Sequence, residues 1–224
     1  MKGLQAVFPT IGAALGDLFS RRLVVLTLLC LAAAAAATGA AAWAGLRYLV
    51  PLIPEGQGVL GWVLDAADIL AGAVIVVLAI ALAPGVSMLV GGVLFDVAAA
   101  RVERAIGADP GRMVPIAEGL LNGARIALPA LALNLVALPL LFVPIVNVIV
   151  FLGLNAWLMG REYFMLAAVR RSTWRDARKL RGTASLAVFL IGIIAAILPF
   201  VAPLYGASAM TRLIKALSAR SDTT

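Results

Sequence analysis

Four long stretches of the chain carry no formal charge, and their lengths are uneven. Leu23 to Leu46 runs 24 residues, mostly Leu, Val and Ala. About 20 apolar residues suffice for a helix to cross a bilayer, so this stretch predicts one transmembrane helix. Arg21 and Arg22 open it, and Trp43 and Tyr48 mark its far interface, where amphipathic rings settle. Ile69 to Phe95 predicts a second crossing, kinked where Pro84-Gly85 and Gly91-Gly92 interrupt it. Ile126 to Gly160 is different: it spans 35 residues and contains Pro129, Pro139 and Pro144. That is too long for one helix and short for two, since a pair with its turn needs about 40 or more. It predicts a hairpin of short helices that bends between Pro139 and Asn147 and returns to the side it came from. Gly182 to Thr211 poses the same problem at 30 residues, with Pro199 and Pro203 near its middle. It predicts a second partly inserted hairpin. Four to six full crossings are the alternative, because tilt and kinks absorb differences of length.

The polar segments orient these runs. Leu4, Val7, Phe8, Ile11, Leu15, Leu18 and Phe19 recur at three- and four-residue spacing, which predicts an amphipathic helix lying in the interface, with Pro9 as a kink. Its sparse charge and the interruptions at Pro9, Gly12, Gly16 and Asp17 argue against a cleaved signal sequence. Arg47 to Asp68 is rich in Pro and Gly and sums to minus two, as an outer loop does. Asp96 to Arg125 mixes four Arg with two Asp and two Glu around Gly107 to Gly111, predicting helix, turn and helix at the interface. Arg161 to Arg181 sets seven Lys and Arg against Glu162 and Asp176, which places it in the cytoplasm. With Arg21 and Arg22 also inside, the first two helices cross out and back, and both hairpins return to the cytoplasmic side.

The expected architecture is one all-α integral membrane domain over 1–224. It comprises an amphipathic N-terminal helix (1–20), long helices (21–50 and 62–105), a first hairpin (112–160), a basic interfacial segment (161–181) and a second hairpin (182–218). Backbone groups freed at hairpin tips must be covered by protein or face a water-filled cavity, so the tips are candidate pore walls.

Composition removes several classes. Hydrophobic residues make up 63% of the chain, charged ones 13%, and mean hydropathy is +1.07, against roughly 45–50% apolar content in soluble domains. The +7 charge lies beside apolar runs, where it reads as topology and headgroup contact, with no nucleic acid as partner. There is no His, and Cys30 is alone in an apolar run, so neither a disulfide framework nor a Cys/His metal site is expected. The chain lacks the G-x-x-x-x-G-K-[ST] phosphate loop of ATP-driven transport. Asp96 with Ala100-Arg101 matches only a fragment of a lipid phosphatidyltransferase motif, because the downstream aspartate pair is missing. The expectation is no enzyme, no cofactor and no metal.

The remaining polar groups are candidates for a pathway. Asp96 and Glu103 have no base four residues on, so Asp96, Arg101, Glu103 and Arg104 are expected to pair with other segments. They read either as ion pairs lining or gating a path or as a solvated interfacial face. Arg125, Arg161 and Glu162, flanking the first hairpin, carry the same two readings. Asn134, Asn147 and Asn155 read as helix-to-helix contacts, or as groups that line a passage. Arg170, Arg171, Arg175, Arg178, Lys179 and Arg181 read as a surface for anionic lipid, with attraction of an anion to the mouth as the alternative.

Asn155 to Arg171, Asn-Ala-Trp-Leu-Met-Gly-Arg-Glu-Tyr-Phe-Met-Leu-Ala-Ala-Val-Arg-Arg, resembles a motif of the CysZ-type sulfate permeases and the related etoposide-induced membrane proteins. Other pieces agree in order: Arg21-Arg22, Pro84 and the stretch to Ala100-Arg101, the Pro139 to Pro144 turn, Leu198 to Pro203, and Gly206 to Met210. The resemblance runs from about Leu15 to Leu213. It implies two long transmembrane helices with two hairpins that enter partway, and homo-oligomers of dimers assembled into a hexamer, with opposed protomers. It further implies residence in the bacterial inner membrane and sulfate uptake feeding cysteine synthesis. In those permeases a Gly-Leu/Ile-Arg-Arg pattern is associated with sulfate. Carried over, it makes Ser20, Arg21 and Arg22 the sulfate-binding residues, although Phe19 and Ser20 replace the usual Gly and Leu or Ile. Ser20 as N-cap, the free first-turn amides from Arg21 to Val24 and two guanidiniums would form an anion site. The alternative within the same superfamily is a non-transporting membrane interaction or scaffold protein.

Overall fold

The computed structural model describes residues 4–21, 23–52, 58–115 and 144–221, and the positions 117–118, 121–122, 125, 128–129, 132–133 and 136. Every regular element among them is helical. In order these are α1 (Leu4–Leu18), α2 (Val24–Tyr48), a 3-10 turn (Val50–Leu52), α3 (Gly58–Ala105), α4 (Pro144–Ala168), α5 (Trp174–Thr183), α6 (Ser185–Ile197) and α7 (Ala202–Ser221).

Val24–Leu52 and Gly61–Ile80 are the two stretches among the described residues that are long and apolar enough to cross a membrane. They run antiparallel, with Gly45 of α2 against Ile75 and Leu46 against Gly72 of α3. Leu28, Leu29 and Trp43 on α2, and Trp62, Ile69 and Val77 on α3, are exposed, as side chains facing lipid are. Trp43 and Tyr48 meet edge to face, 6.0 Å apart, at the far end of α2.

α3 begins at Gly58, four residues before the expected long helix, and so takes in more of the connection read as an outer loop. It continues as one helix through Pro84-Gly85 and Gly91-Gly92, where the sequence predicts a kink. In lipid a helix keeps its backbone bonds because the alternative is an unsatisfied group, and one proline removes only one donor. At 48 residues α3 extends about 72 Å, more than twice the hydrocarbon core. Its last third therefore serves another purpose, and it packs into the protein core.

That core joins the end of α3 (Phe95, Ala98, Ala99, Val102) to α1 (Val7, Ala14, Leu18), α4 (Phe164, Met165, Ala168), α6 (Ile191) and α7 (Leu204, Tyr205, Met210, Leu213). α1 is accordingly more than an interfacial helix. Val7, Thr10, Ala14 and Asp17 turn inward against α6 and α7, while Phe8 and Phe19 of the same apolar set are each 82% exposed. Glycines let α4, α6 and α7 approach to backbone contact. A Cβ on Gly160 would lie 2.5 Å from the Val188 carbonyl oxygen, one on Gly192 2.1 Å from the Ala156 carbonyl oxygen, and one on Gly206 2.4 Å from the Tyr163 ring. Small residues give membrane helices this close approach, which dispersion then rewards.

The basic segment begins on a helix. α4 continues through Arg161 and Glu162 to Ala168. The chain then turns, and Thr173 caps α5 by accepting from the Asp176 N–H. α5 and α6 meet at 92°, so the polar helix lies across the apolar one that follows it. α6 has 13 residues, about 20 Å against the roughly 30 Å of a bilayer core. It ends at Leu198 before Pro199, and α7 resumes at Ala202 with Pro203 in its first turn, where its missing N–H costs no bond. The turn of the first hairpin, from Pro139 to 143, lies outside the described residues, as do Asn134 and the side chain of Asn147. Asn155 is half-buried on α4.

Candidate anion-handling site

Two faces of the α3 C-terminus separate what the sequence presents as one charged group. Asp96 and Glu103, seven residues apart, share one face of the helix, while Arg101 and Arg104, three apart, share another. The acidic face points inward. Arg170, in the turn after α4, is 2% exposed and holds both acids, with Nη1 2.8 Å from Asp96 Oδ1 and Nη2 3.1 Å from Glu103 Oε2. Arg171 Nη2 reaches Glu103 Oε1 at 3.2 Å, and the Gly111 N–H donates to Glu103 Oε2 at 3.0 Å. Burial alone would raise the Glu103 carboxyl. Hydrogen bonds from Arg170, the Gly111 N–H and Arg171 outweigh it and hold the group below the usual carboxylate range.

The chain reaches this geometry by a glycine stop. Gly107 has φ +61°, and the Ala108 N–H donates to the Glu103 carbonyl at 2.9 Å, closing α3 with a Schellman turn. Gly111 then passes where a Cβ would meet Arg170 Cβ and Glu103 Oε1, each at 2.9 Å. The Arg112 N–H donates to the Arg170 carbonyl at 2.8 Å. These contacts join the ends of α3 and α4 into one unit. Arg170 is thus withdrawn from the basic stretch into a buried pair with Glu103, while Arg171 and Asp96, 24% and 26% exposed, complete the cluster at its edge.

The basic face opens outward. Arg21, Arg101, Arg104 and Ala105 line a cleft of about 430 Å³ in which no described lining residue is acidic. Arg104 Nε donates to the Ala100 carbonyl at 3.2 Å, which steadies its stem along the helix. The structure therefore brings Arg21 together with Arg101 and Arg104. Arg22 lies outside the described residues.

Ser20 does not cap α2. The N-cap is Leu23, without a side-chain bond, and the Ser20 hydroxyl instead donates to the Asp17 carbonyl at 2.6 Å. The amides of Leu23 and Val24 both donate to the Ser20 carbonyl, at 3.2 and 2.9 Å, so they are not the free donors expected. The turn itself is fastened by Asp17, a residue to which the sequence pattern assigns no role. Its Oδ2 accepts from Ser208 Oγ at 2.6 Å and from Arg212 Nη2 at 2.7 Å, which ties the α1–α2 corner to α7. Ser208 and Arg212 stand four apart on α7, the one sequence signal that they share a target.

Charge is thereby sorted by place. The start of α2, the end of α3 and the turn after α4 gather basic groups at one end, and Trp43 and Tyr48 stand at the other. No curated protein and no solved structure matches the chain. The family model described as "Sulfate transporter CysZ/Etoposide-induced protein 2.4" matches residues 10–206, nearly the whole chain, and the protein belongs to that family of transporter-like membrane proteins.

Proposed function

We propose that the protein is a permease that admits sulfate across a bacterial inner membrane and so feeds cysteine synthesis, working as a homo-oligomer. The observation that carries this reading is the cleft where Arg21, Arg101 and Arg104 converge. Guanidinium groups fork onto tetrahedral oxyanions, and three of them match a dianion better than one helix terminus does. Arg101 and Arg104 thus join Arg21 as binding groups. Asp96 and Glu103 act at one remove, by fixing with Arg170 the helix end that presents those arginines.

The two hairpins form the wall of the path, entering from the cytoplasmic side and returning to it. A dianion entering against 100 mV, inside negative, costs about 4.6 kcal/mol. Net uptake by simple conduction therefore depends on rapid consumption of sulfate inside.

Purified protein in proteoliposomes without a membrane potential is expected to take up labelled sulfate down its gradient. Arg21→Ala/Arg104→Ala should lower the rate at least ~10-fold, equivalent to about 1.4 kcal/mol. Absence of uptake in the parent would favour the scaffold reading, and equal uptake in the variant would remove the cleft from the mechanism.

The hairpins have a separate test. Phe200 sits in the turn between α6 and α7. In a chain whose Cys30 is replaced by Ala, Phe200→Cys should stay unlabelled by a membrane-impermeant maleimide applied outside intact cells and become labelled after permeabilisation. Labelling from outside would convert the hairpin into a pair of crossings.

A further inference from the structure

A second cleft, of about 630 Å³, opens where α4 meets α5, and the proposed sulfate route makes no use of it. Arg125, Arg161, Arg178 and Arg181 line it beside Trp157 and Trp174, and none of its described lining residues is acidic. Two of the guanidiniums rest on rings: Arg125 lies 5.4 Å from the Trp174 centroid and Arg161 5.8 Å from that of Trp157. Arg161 Nη2 also donates to the Arg125 carbonyl at 3.3 Å, which holds these two in place. Arg181 Nε is buried and has no hydrogen-bond partner. Burial, and then the charges of Arg161 and Arg178, pull its guanidinium below the usual range.

Four like charges in one cleft and a buried donor without an acceptor are both unfavourable, and one oxyanion would relieve both. The surroundings indicate which kind. α5 lies at 92° to the apolar α6, the attitude of a helix resting in the interface. Trp157 and Leu128, 42% and 67% exposed, give the cleft an apolar margin, and Pro129 continues it. Tryptophan and arginine with an apolar border are the groups met at headgroup depth. We propose that this cleft binds an anionic phospholipid, its phosphodiester among Arg125, Arg161, Arg178 and Arg181 and its acyl chain along Leu128, Pro129 and Trp157. Inorganic phosphate or sulfate shares the headgroup chemistry but lacks the chain, so the two sources separate in one experiment.

Delipidated full-length protein in neutral detergent would be titrated with short-chain phosphatidylglycerol, short-chain phosphatidylcholine, sodium phosphate and sodium sulfate at constant ionic strength, following the thermal midpoint. Phosphatidylglycerol should stabilise at a concentration at least ten times lower than phosphatidylcholine or either salt. Arg178→Gln/Arg181→Gln should need at least ten times more of it, whereas Arg47→Gln, which does not line this cleft, should respond as the parent does. Equal response to both lipids, or an unchanged response in the double variant, would overturn the site. Equal potency of the inorganic salts that is lost in Arg178→Gln/Arg181→Gln would overturn its assignment to lipid. A photoreactive phosphatidylglycerol offers a check on the unaltered protein, where crosslinks should map to residues 125–129 or 157–181, and crosslinks confined to other segments would also overturn the site.

Discussion

Replacing Arg170 by Met is expected to cost about 3–5 kcal/mol of stability, more than the loss of any exposed arginine, because removing one partner strands the other charge in a buried place. The side chain of Arg170 is 1% exposed and that of Glu103 2%. Without the arginine, Glu103 keeps the Gly111 N–H and Arg171 but loses its closest buried cation, and Asp96 loses its partner at 2.8 Å. The neighbouring contacts then loosen, since the Arg170 carbonyl accepts the Arg112 N–H and the Val169 carbonyl accepts Arg112 Nε at 3.2 Å. Arg170→Met/Glu103→Gln should be more stable than Arg170→Met alone, because the stranded charge has gone. Half-lives of the folded protein in detergent at fixed elevated temperature would measure this. If the double variant decays faster than the single by the sum of the separate losses, the groups are not coupled and the cluster is not a unit. Sulfate uptake in the same variants also tests the positioning role. Arg170→Lys, which keeps the charge but not the fork, should retain more uptake than Arg170→Met.

Gly192→Val is expected to prevent α6 from seating on α4. A Cβ at Gly192 falls 2.1 Å from the Ala156 carbonyl oxygen and 3.0 Å from both the Cα and the N of Gly160. Those are backbone atoms, with no rotamer to turn aside, so the helices must separate. Inserting atoms into a packed core costs about 1–3 kcal/mol and occasionally more, and this contact belongs at the upper end because Gly160 is equally tight against Val188. Gly153, also on α4, has no atom within 4 Å of its would-be Cβ. Gly153→Ala should therefore be neutral or favourable by about 0.5–1 kcal/mol through reduced backbone freedom. The fraction surviving as a single gel-filtration peak after heating separates the cases. Similar survival of Gly192→Val and Gly153→Ala would contradict the close crossing.

Much of the membrane part is legible along the chain because it depends on local quantities. Run length and the absence of charge predict α2 and a second spanning helix, and Trp43 and Tyr48 mark an interface without any tertiary contact. Proline and glycine signal interruption in water, yet α3 runs as one helix through Pro84 because lipid penalises an open backbone more than it penalises a lost donor. Charge marks where the basic segment begins, at Arg161, but not that α4 carries its helix through that residue to Ala168.

The site divides along the same line. That Asp96 and Glu103 need partners from elsewhere is readable from their empty i+4 positions. Which arginines face outward is not. Arg170 looks in sequence like its basic neighbours, and only the fold shows that Gly111 makes room for it beside Glu103. Asp17 is an interruption of an apolar face until Ser208 and Arg212 arrive from 191 and 195 residues away.

Hydrophobicity and charge act residue by residue, and they suffice to make this chain a helical membrane protein, basic at one end, with two runs able to cross. No local property places Arg21 in a cleft with Arg101 and Arg104 while Arg170 is withdrawn from the surface. Pairing of charges depends on which helix ends meet, and that is set by contacts between segments far apart in the chain, such as the Arg112 N–H on the Arg170 carbonyl and Asp17 on Ser208.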